Sequence, residues 1–336
     1  MTRFVCFGEL LIRLTPPNRQ LLPQSGNVDL WPGGAEANVA IGLAGLGHAV
    51  YMVSRVPDNA VADISIRALQ GAGVDCSNVG RGAGRMALYF MTQGAGLRPS
   101  EVIYDRADSA FARAGAEDYD WDRAFDQADH LHLSGITAAL GPKSAGVSLA
   151  AVREARKRNL TISFDPNYRA TLWQAWDCDA SAILGEIVSL VDILFGNHRD
   201  VALLLGGDHA GDCQEDRRKA VKAAFGAFPN LKLMASTCRD AAEVDTHHMS
   251  ARIDARDRFF ETANLALHGI IDRIGAGDAF VAGVLHSLAN HEGDLESAAR
   301  SGLALAALKH SVPGDASQFS QADIDRALVG GRDVQR

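Results

Sequence analysis

Leu131-His-Leu-Ser134, Ser144 to Arg158 and Leu160-Thr-Ile-Ser-Phe164 are the successive stretches whose reading decides the fold. The first and third are short apolar runs. The middle one carries Ala, Val, Leu, Arg and Lys at a spacing suited to a surface helix. A helix between two strands is the signature of a βα unit in a mostly parallel sheet. The alternation continues, with helices predicted over Ala180 to Leu190 and Glu215 to Phe228, and strands over Ile193 to Phe195 and Leu231 to Ala235. The fold class is therefore α/β, doubly wound. Upstream, Met86 to Thr92, the turn Gln93-Gly-Ala-Gly96 and Val102 to Arg106 predict a hairpin outside the main sheet. Residues Leu14 to Trp31, rich in Pro and Gln, are candidates for companion strands.

A chain of 336 residues with 47% apolar content can bury a substantial core. Its net charge of −8 and the absence of a Lys/Arg-rich block give no support to nucleic-acid binding. No window has transmembrane length, so a membrane is not an expected partner. The apolar start is interrupted by Glu9 and Arg13 before it reaches the length of a signal-peptide core. Five widely spaced cysteines without CxxC suit reduced thiols in a cytoplasmic protein. His247 and His248 lack a third metal ligand nearby and read as a solvated hairpin, and no carboxylate or Cys completes a site beside His130 and His132.

Open parallel sheets bind ligands beyond the carboxyl ends of their strands. Three such ends carry chemistry: Asp165-Pro-Asn-Tyr-Arg169, Gly196-Asn-His-Arg-Asp200 and Asp272-Arg-Ile-Gly-Ala-Gly-Asp278. In the last, Gly275 and Gly277 precede a run with Phe280, Val284, Leu285 and Leu288 at helical spacing. Free N–H groups of Ala276 and Gly277 at that helix start favour a transferring phosphoryl group, and Asp278 is placed to accept a hydroxyl proton. On the residues alone a second reading stays open, in which the glycines shape a turn and Asp278 caps the helix. Gly135 to Ser144 is no Walker loop, because Pro142 separates Gly141 from Lys143, and Gly42-Leu-Ala-Gly-Leu-Gly47 has the dinucleotide glycines in reverse order.

Gly33-Gly-Ala-Glu-Ala-Asn-Val-Ala40 and Asp272 to Phe280, in this order and separation, resemble the two signatures of the ribokinase-like (PfkB) carbohydrate kinases. The similarity runs from about Gly8 to Leu328. It implies one ribokinase-like domain over residues 1–336, an α/β/α sandwich with a small β-sheet lid drawn from about 11–32 and 85–108, and use of ATP with Mg²⁺. Leu133-Ser-Gly-Ile-Thr137, Asp165 to Arg169 and Leu308-Lys-His-Ser-Val-Pro-Gly-Asp315 look most like the 2-dehydro-3-deoxygluconate kinases within that family. The resemblance implies Asp278 as general base, an anion-holding turn at Gly275, Ala276 and Gly277, and a small acidic sugar as substrate. By the same resemblance Gly34 admits the sugar, Tyr89 and Tyr104 hold it, Ile136 and Asp315 line its pocket, and Arg106 and Arg169 face its carboxylate. A guanidinium matches a carboxylate through two parallel bonds, which a neutral ketose does not offer. Asn38 has two open readings, a bond to the sugar or a cap for the helix that follows.

For the nucleotide, the resemblance implies contacts from Asn167, Asn197, Ser236, Thr237 and Arg239 along with Gly275 and Gly277. Asp200 stands where the family has Glu, which favours an indirect, water-mediated role toward Mg²⁺. Ala235-Ser-Thr-Cys-Arg-Asp240 lacks the usual glycine, and Arg273 replaces a small residue, where its charge suits a phosphate or an acidic sugar. A monovalent cation and a homodimer paired through the lid are further expectations. The competing classes are a neutral-sugar or nucleoside kinase, a dehydrogenase, and a sugar-binding module without turnover.

Overall fold

In the computed structural model, which describes residues 2–211, 213–243 and 246–330, strand β1 (Arg3–Phe7) is buried on both sides. Phe4 and Cys6 point into one core, and Val5 and Phe7 into the other. Such a strand needs helices on both faces. One face carries α1 (Ala35–Gly45), α2 (Ala60–Gly71), α7 (Ala276–Asn290), α8 (Leu295–Lys309) and α9 (Gln321–Val329), which contribute Val39, Leu69, Val284, Leu305 and Ile324. The opposite face carries α3 (Pro142–Lys157), α4 (Ala180–Val188), α5 (His198–Leu205) and α6 (Gln214–Ala227), with Val152, Leu184, Val201 and Val221 buried. The result is an α/β/α sandwich.

Next to β1 on one side run β4 (Ala49–Val56) and β5 (Asp75–Arg81). On its other side lie β8 (His130–Ser134), β9 (Thr161–Asp165), β10 (Ile193–Phe195) and β11 (Leu233–Glu243), and every pairing from β5 to β11 is parallel. The antiparallel β12 (Thr246–Ala255), with β13 (Phe259–Glu261) and β14 (Leu265–His268), completes the sheet. The chain leaves β1 toward β4 and β5, then returns to β8, so the sheet changes winding direction between β1 and β8. A crevice opens beyond the strand ends at that point.

A separate four-stranded sheet is built from β2 (Leu11–Thr15), β3 (Asp29–Gly33), β6 (Ala87–Thr92) and β7 (Glu101–Asp105), with Tyr89 opposite Tyr104. It matches the predicted extra sheet, and β2 follows β1 closely enough to stand beside the crevice. Two sequence expectations need correction. The strand predicted at Leu231 begins at Leu233 and outlasts the three-residue β10, so its second half pairs only with β12. His247, read as solvated, is 1% exposed on β12 with its ring 5.8 Å from that of His310, whereas His248 is exposed. His130 and His132 do share one face, where both bond the buried Ser163 hydroxyl.

Candidate active site

Helix α7 is preceded by its N-cap Gly275, whose φ of 75° lies in the left-handed region. A Cβ there would sit 1.5 Å from the Asp315 carbonyl oxygen, so conformation and close approach both require glycine. Asp278 is the third residue of α7, and its Oδ2 accepts a 2.6 Å hydrogen bond from Asn38 Nδ2. Asn38 is therefore not the cap of α1, a position held by Gly34. It reaches across to Asp278 instead, and its Oδ1 is buried with no hydrogen-bond partner. Desolvation pushes the Asp278 carboxyl up to about 8 despite the Asn38 bond, and the nearby Asp165, Glu36 and Asp315 add to the rise. The side chain lines a cavity of about 510 Å³.

That cavity brings together most of the residues singled out in the sequence. Gly34, Asn38, Tyr89, Tyr104, Arg106, Ile136, Asn167, Arg169, Arg239, Gly275, Gly277, Asp278 and Asp315 all line it. Ala276 is buried behind them, its N–H 3.4 Å from the Arg273 carbonyl. Gly34 has a reason besides ligand access, because a Cβ would meet the Glu9 carbonyl oxygen at 2.3 Å.

Two substrate expectations change in character. Arg106 is buried and donates from Nη2 and Nε to Glu9 Oε2, at 2.6 and 2.8 Å, so its charge is already met. Glu9 also accepts from Ser109. Arg169, by contrast, is exposed at the cavity wall and makes only a 3.5 Å contact to the Tyr168 carbonyl. Asp315 is likewise engaged: Tyr89 OH donates to its Oδ2 at 2.6 Å, and Arg13 Nε lies 3.0 Å from its Oδ1. Burial raises Asp315 to about 6, with Arg13 and Tyr89 opposing.

Arg13 belongs to a network the sequence reading missed. Fully buried on β2, it donates from Nη2 to Asp272 Oδ2 at 2.6 Å. Asp272 in turn accepts from the N–H groups of Ile274 and Gly314. The buried Lys309 ammonium donates to the carbonyls of Val312 and Asp272, at 3.1 and 3.4 Å. The small sheet is thus tied to the turn that leads into α7. An arginine inside the apolar run Leu11-Ile-Arg-Leu14 was the available signal. Glu36 was also missed. Its Oε1 accepts from Ser134 N, Ser134 Oγ and Thr137 Oγ1 at 2.7–2.8 Å, and this joins α1 to the end of β8.

A neighbouring cavity of about 500 Å³ shares Asp165, Asn167, Arg169 and Gly277 with the first and adds Asn197, Asp200, Ser236 and Thr237. Asp200 Oδ2 accepts from Asn197 N at 2.8 Å, a capping box at the start of α5. Burial, then the charge of Asp200, raises Asp165 to about 7. Two carboxylates near each other and raised in this way favour a cation between them. Among the described residues no cluster of three or more His, Cys, Asp or Glu forms a direct metal cage.

A pfkB family carbohydrate kinase model matches residues 1–322. The chain is 30% identical over 327 residues to a 2-dehydro-3-deoxygalactonokinase of Haloferax volcanii, with 97% of this chain and 96% of that protein covered. It is 31% identical to a probable chloroplastic fructokinase of Arabidopsis thaliana, covering 85% and 70% of the two chains. Among solved structures, 2-dehydro-3-deoxygluconokinase of Thermotoga maritima superposes with a TM-score of 0.93 at 33% identity, over 98% of this chain and 100% of that one.

Proposed function

Because this chain belongs to the pfkB family of carbohydrate kinases, phosphotransferases with an alcohol acceptor, we propose that it phosphorylates the 6-hydroxyl of 2-dehydro-3-deoxy-D-gluconate at the expense of ATP. One observation carries the reading: Asp278, in the first turn of α7, faces a cavity that also presents the exposed guanidinium of Arg169. Asp278 takes the proton of the attacking hydroxyl as the sugar oxygen bonds to the γ-phosphorus and the bond to the β,γ-bridging oxygen breaks, releasing ADP. The Gly277 N–H at the start of α7 holds the developing negative charge; the Ala276 N–H, expected to share that role, is turned to the Arg273 carbonyl instead. Arg169 meets the sugar carboxylate, while Arg106, already paired with Glu9, fixes the wall beside Tyr104.

Asp165 and Asp200, with Asn167 and Asn197 alongside, fit a Mg²⁺ ion that keeps several of its waters. When bound, such an ion neutralises phosphate charge. Ser236 and Thr237 line the same cavity and are assigned to the nucleotide. Among the described residues no helix is long and apolar enough to cross a membrane. The half-exposed Leu30 and Ile103 on the small sheet support pairing of two copies through that sheet.

The Glu9–Arg106 pair favours a second reading, a kinase for a neutral ketohexose, because a neutralised arginine no longer demands an anionic substrate. Coupled ADP release with 2-dehydro-3-deoxygluconate, its C4 epimer, fructose, ribose and adenosine separates the two. Selective turnover of the acidic sugars is expected, and selective turnover of fructose would replace the first reading by the second.

A further inference from the structure

We propose that Arg239 and Arg273 form a two-arginine clamp for the terminal phosphate of the nucleotide, an inference that rests on the kinase reading. Both residues line the cavity of Asp278, beside Gly275 and Gly277. Arg239 also lines a smaller cavity with Asn197, Ser236 and Thr237, so it stands between the reacting centre and the groups assigned to the nucleotide. Arg273 sits in the turn that the Arg13–Asp272 pair pins, and its carbonyl receives the Ala276 N–H.

Both side chains are exposed at the cavity wall, as that of Arg169 is. The buried arginines Arg13, Arg106 and Arg252 each end on carboxylates. Arg239 and Arg273 have no acidic partner among the described residues, in a chain of net charge −8. They are close enough that partial desolvation, then the charge of Arg273, lowers Arg239, and both charges also help to lower His247 on the adjacent strand. Two like charges gathered at one cavity wall, with no protein carboxylate on either, are open to an anionic ligand.

The anion is the phosphate rather than the sugar carboxylate, because of where each must lie. In a six-carbon 2-keto acid phosphorylated at its 6-hydroxyl, the carboxylate is at the opposite end of the molecule from the reacting oxygen. Arg273 stands five residues before Asp278 in the segment that forms the anion-holding turn, at the reacting end. A γ-phosphate offers oxygens to two guanidinium groups at once, and these bonds strengthen as charge spreads over the equatorial oxygens during transfer.

The test is calorimetric binding of ADP and of the β,γ-imido analogue of ATP, both with Mg²⁺, to the wild type and to Arg239→Met and Arg273→Met. The wild type is expected to bind the analogue at least about tenfold more tightly than ADP, and each substitution to remove about ten- to a hundredfold of analogue affinity while leaving ADP nearly unchanged. Equal losses for both nucleotides overturn the clamp. So does unchanged nucleotide affinity with a raised KM for the acidic sugar, which would reassign the pair to the carboxylate. Should a variant fail to fold, the wild type still decides, because no preference for the analogue over ADP sinks the clamp. No binding of either nucleotide sinks the kinase reading itself.

Discussion

Arg106 lines the cavity just after β7, and Arg13, on β2, touches the cavity-lining Asp315; both end on carboxylates. Arg239 reaches it from the main sheet and Arg273 from the turn before α7, and neither has an acid opposite it among the described residues. The difference separates two uses of one side chain. A desolvated guanidinium with its counter-ion in place is a structural tie, worth little as a net gain but costly to break from one side. A guanidinium left uncompensated beside a base and a helix N-terminus is available to a ligand. The small sheet is therefore anchored to the reacting turn, while the capacity to bind anions comes from the sandwich.

Replacing Asp278 tests the sandwich side most severely. Asp278→Asn should keep the fold and nucleotide binding and lose about 10²- to 10⁴-fold in turnover, read by coupled ADP release. Near-normal turnover would remove Asp278 from the role of base.

On the small-sheet side, Arg13→Met should strand Asp272 and Asp315 as buried, unpaired charges and cost about 3–5 kcal/mol in stability, seen as a lower urea midpoint. A midpoint within experimental scatter of wild type would mean that the anchor is ornamental. Arg239→Met, with no acid to strand, should leave the midpoint nearly unchanged, and this contrast is the sharpest form of the comparison.

The smallest effect concerns protons. With the free-enzyme carboxyl of Asp278 raised to about 8, kcat/KM should climb with pH and level off above that value, because the base acts ionised. The same shift has a consequence for stability. A folded-state pKa above the unfolded one contributes stability that is complete below the unfolded value near 3.8 and is lost as pH rises through about 8. Asp278→Asn should thus gain on the wild type as the pH is raised across that window. Removing the Asn38 amide with Asn38→Ala takes away the one bond that lowers the Asp278 pKa, so the rising limb should move about one unit or more upward. An unmoved limb would show that a different group controls the profile.

Much of this was legible in the sequence. The predicted helix at Ser144 to Arg158 is α3, within two residues at its start and one at its end. The run Asp272 to Asp278 already carried the glycine turn and the carboxylate at a helix start. These features are local: periodicity, caps and turns depend on residues a few positions apart. What the sequence leaves unread has the opposite character. The ion pair of Arg106 is invisible there because Glu9 lies 97 residues earlier, and that of Arg13 because Asp272 lies 259 residues later. His247 looked solvated because the sheet that buries it is assembled from distant segments.

By itself, then, the chain determined its α/β architecture, its extra sheet and the segment that holds the reacting carboxylate, since each follows from short-range spacing. Only the tertiary structure decided which charges are neutralised, which are free and how far Asp278 is shifted. Those properties depend on desolvation and on distances between groups far apart in sequence, and no local pattern encodes them.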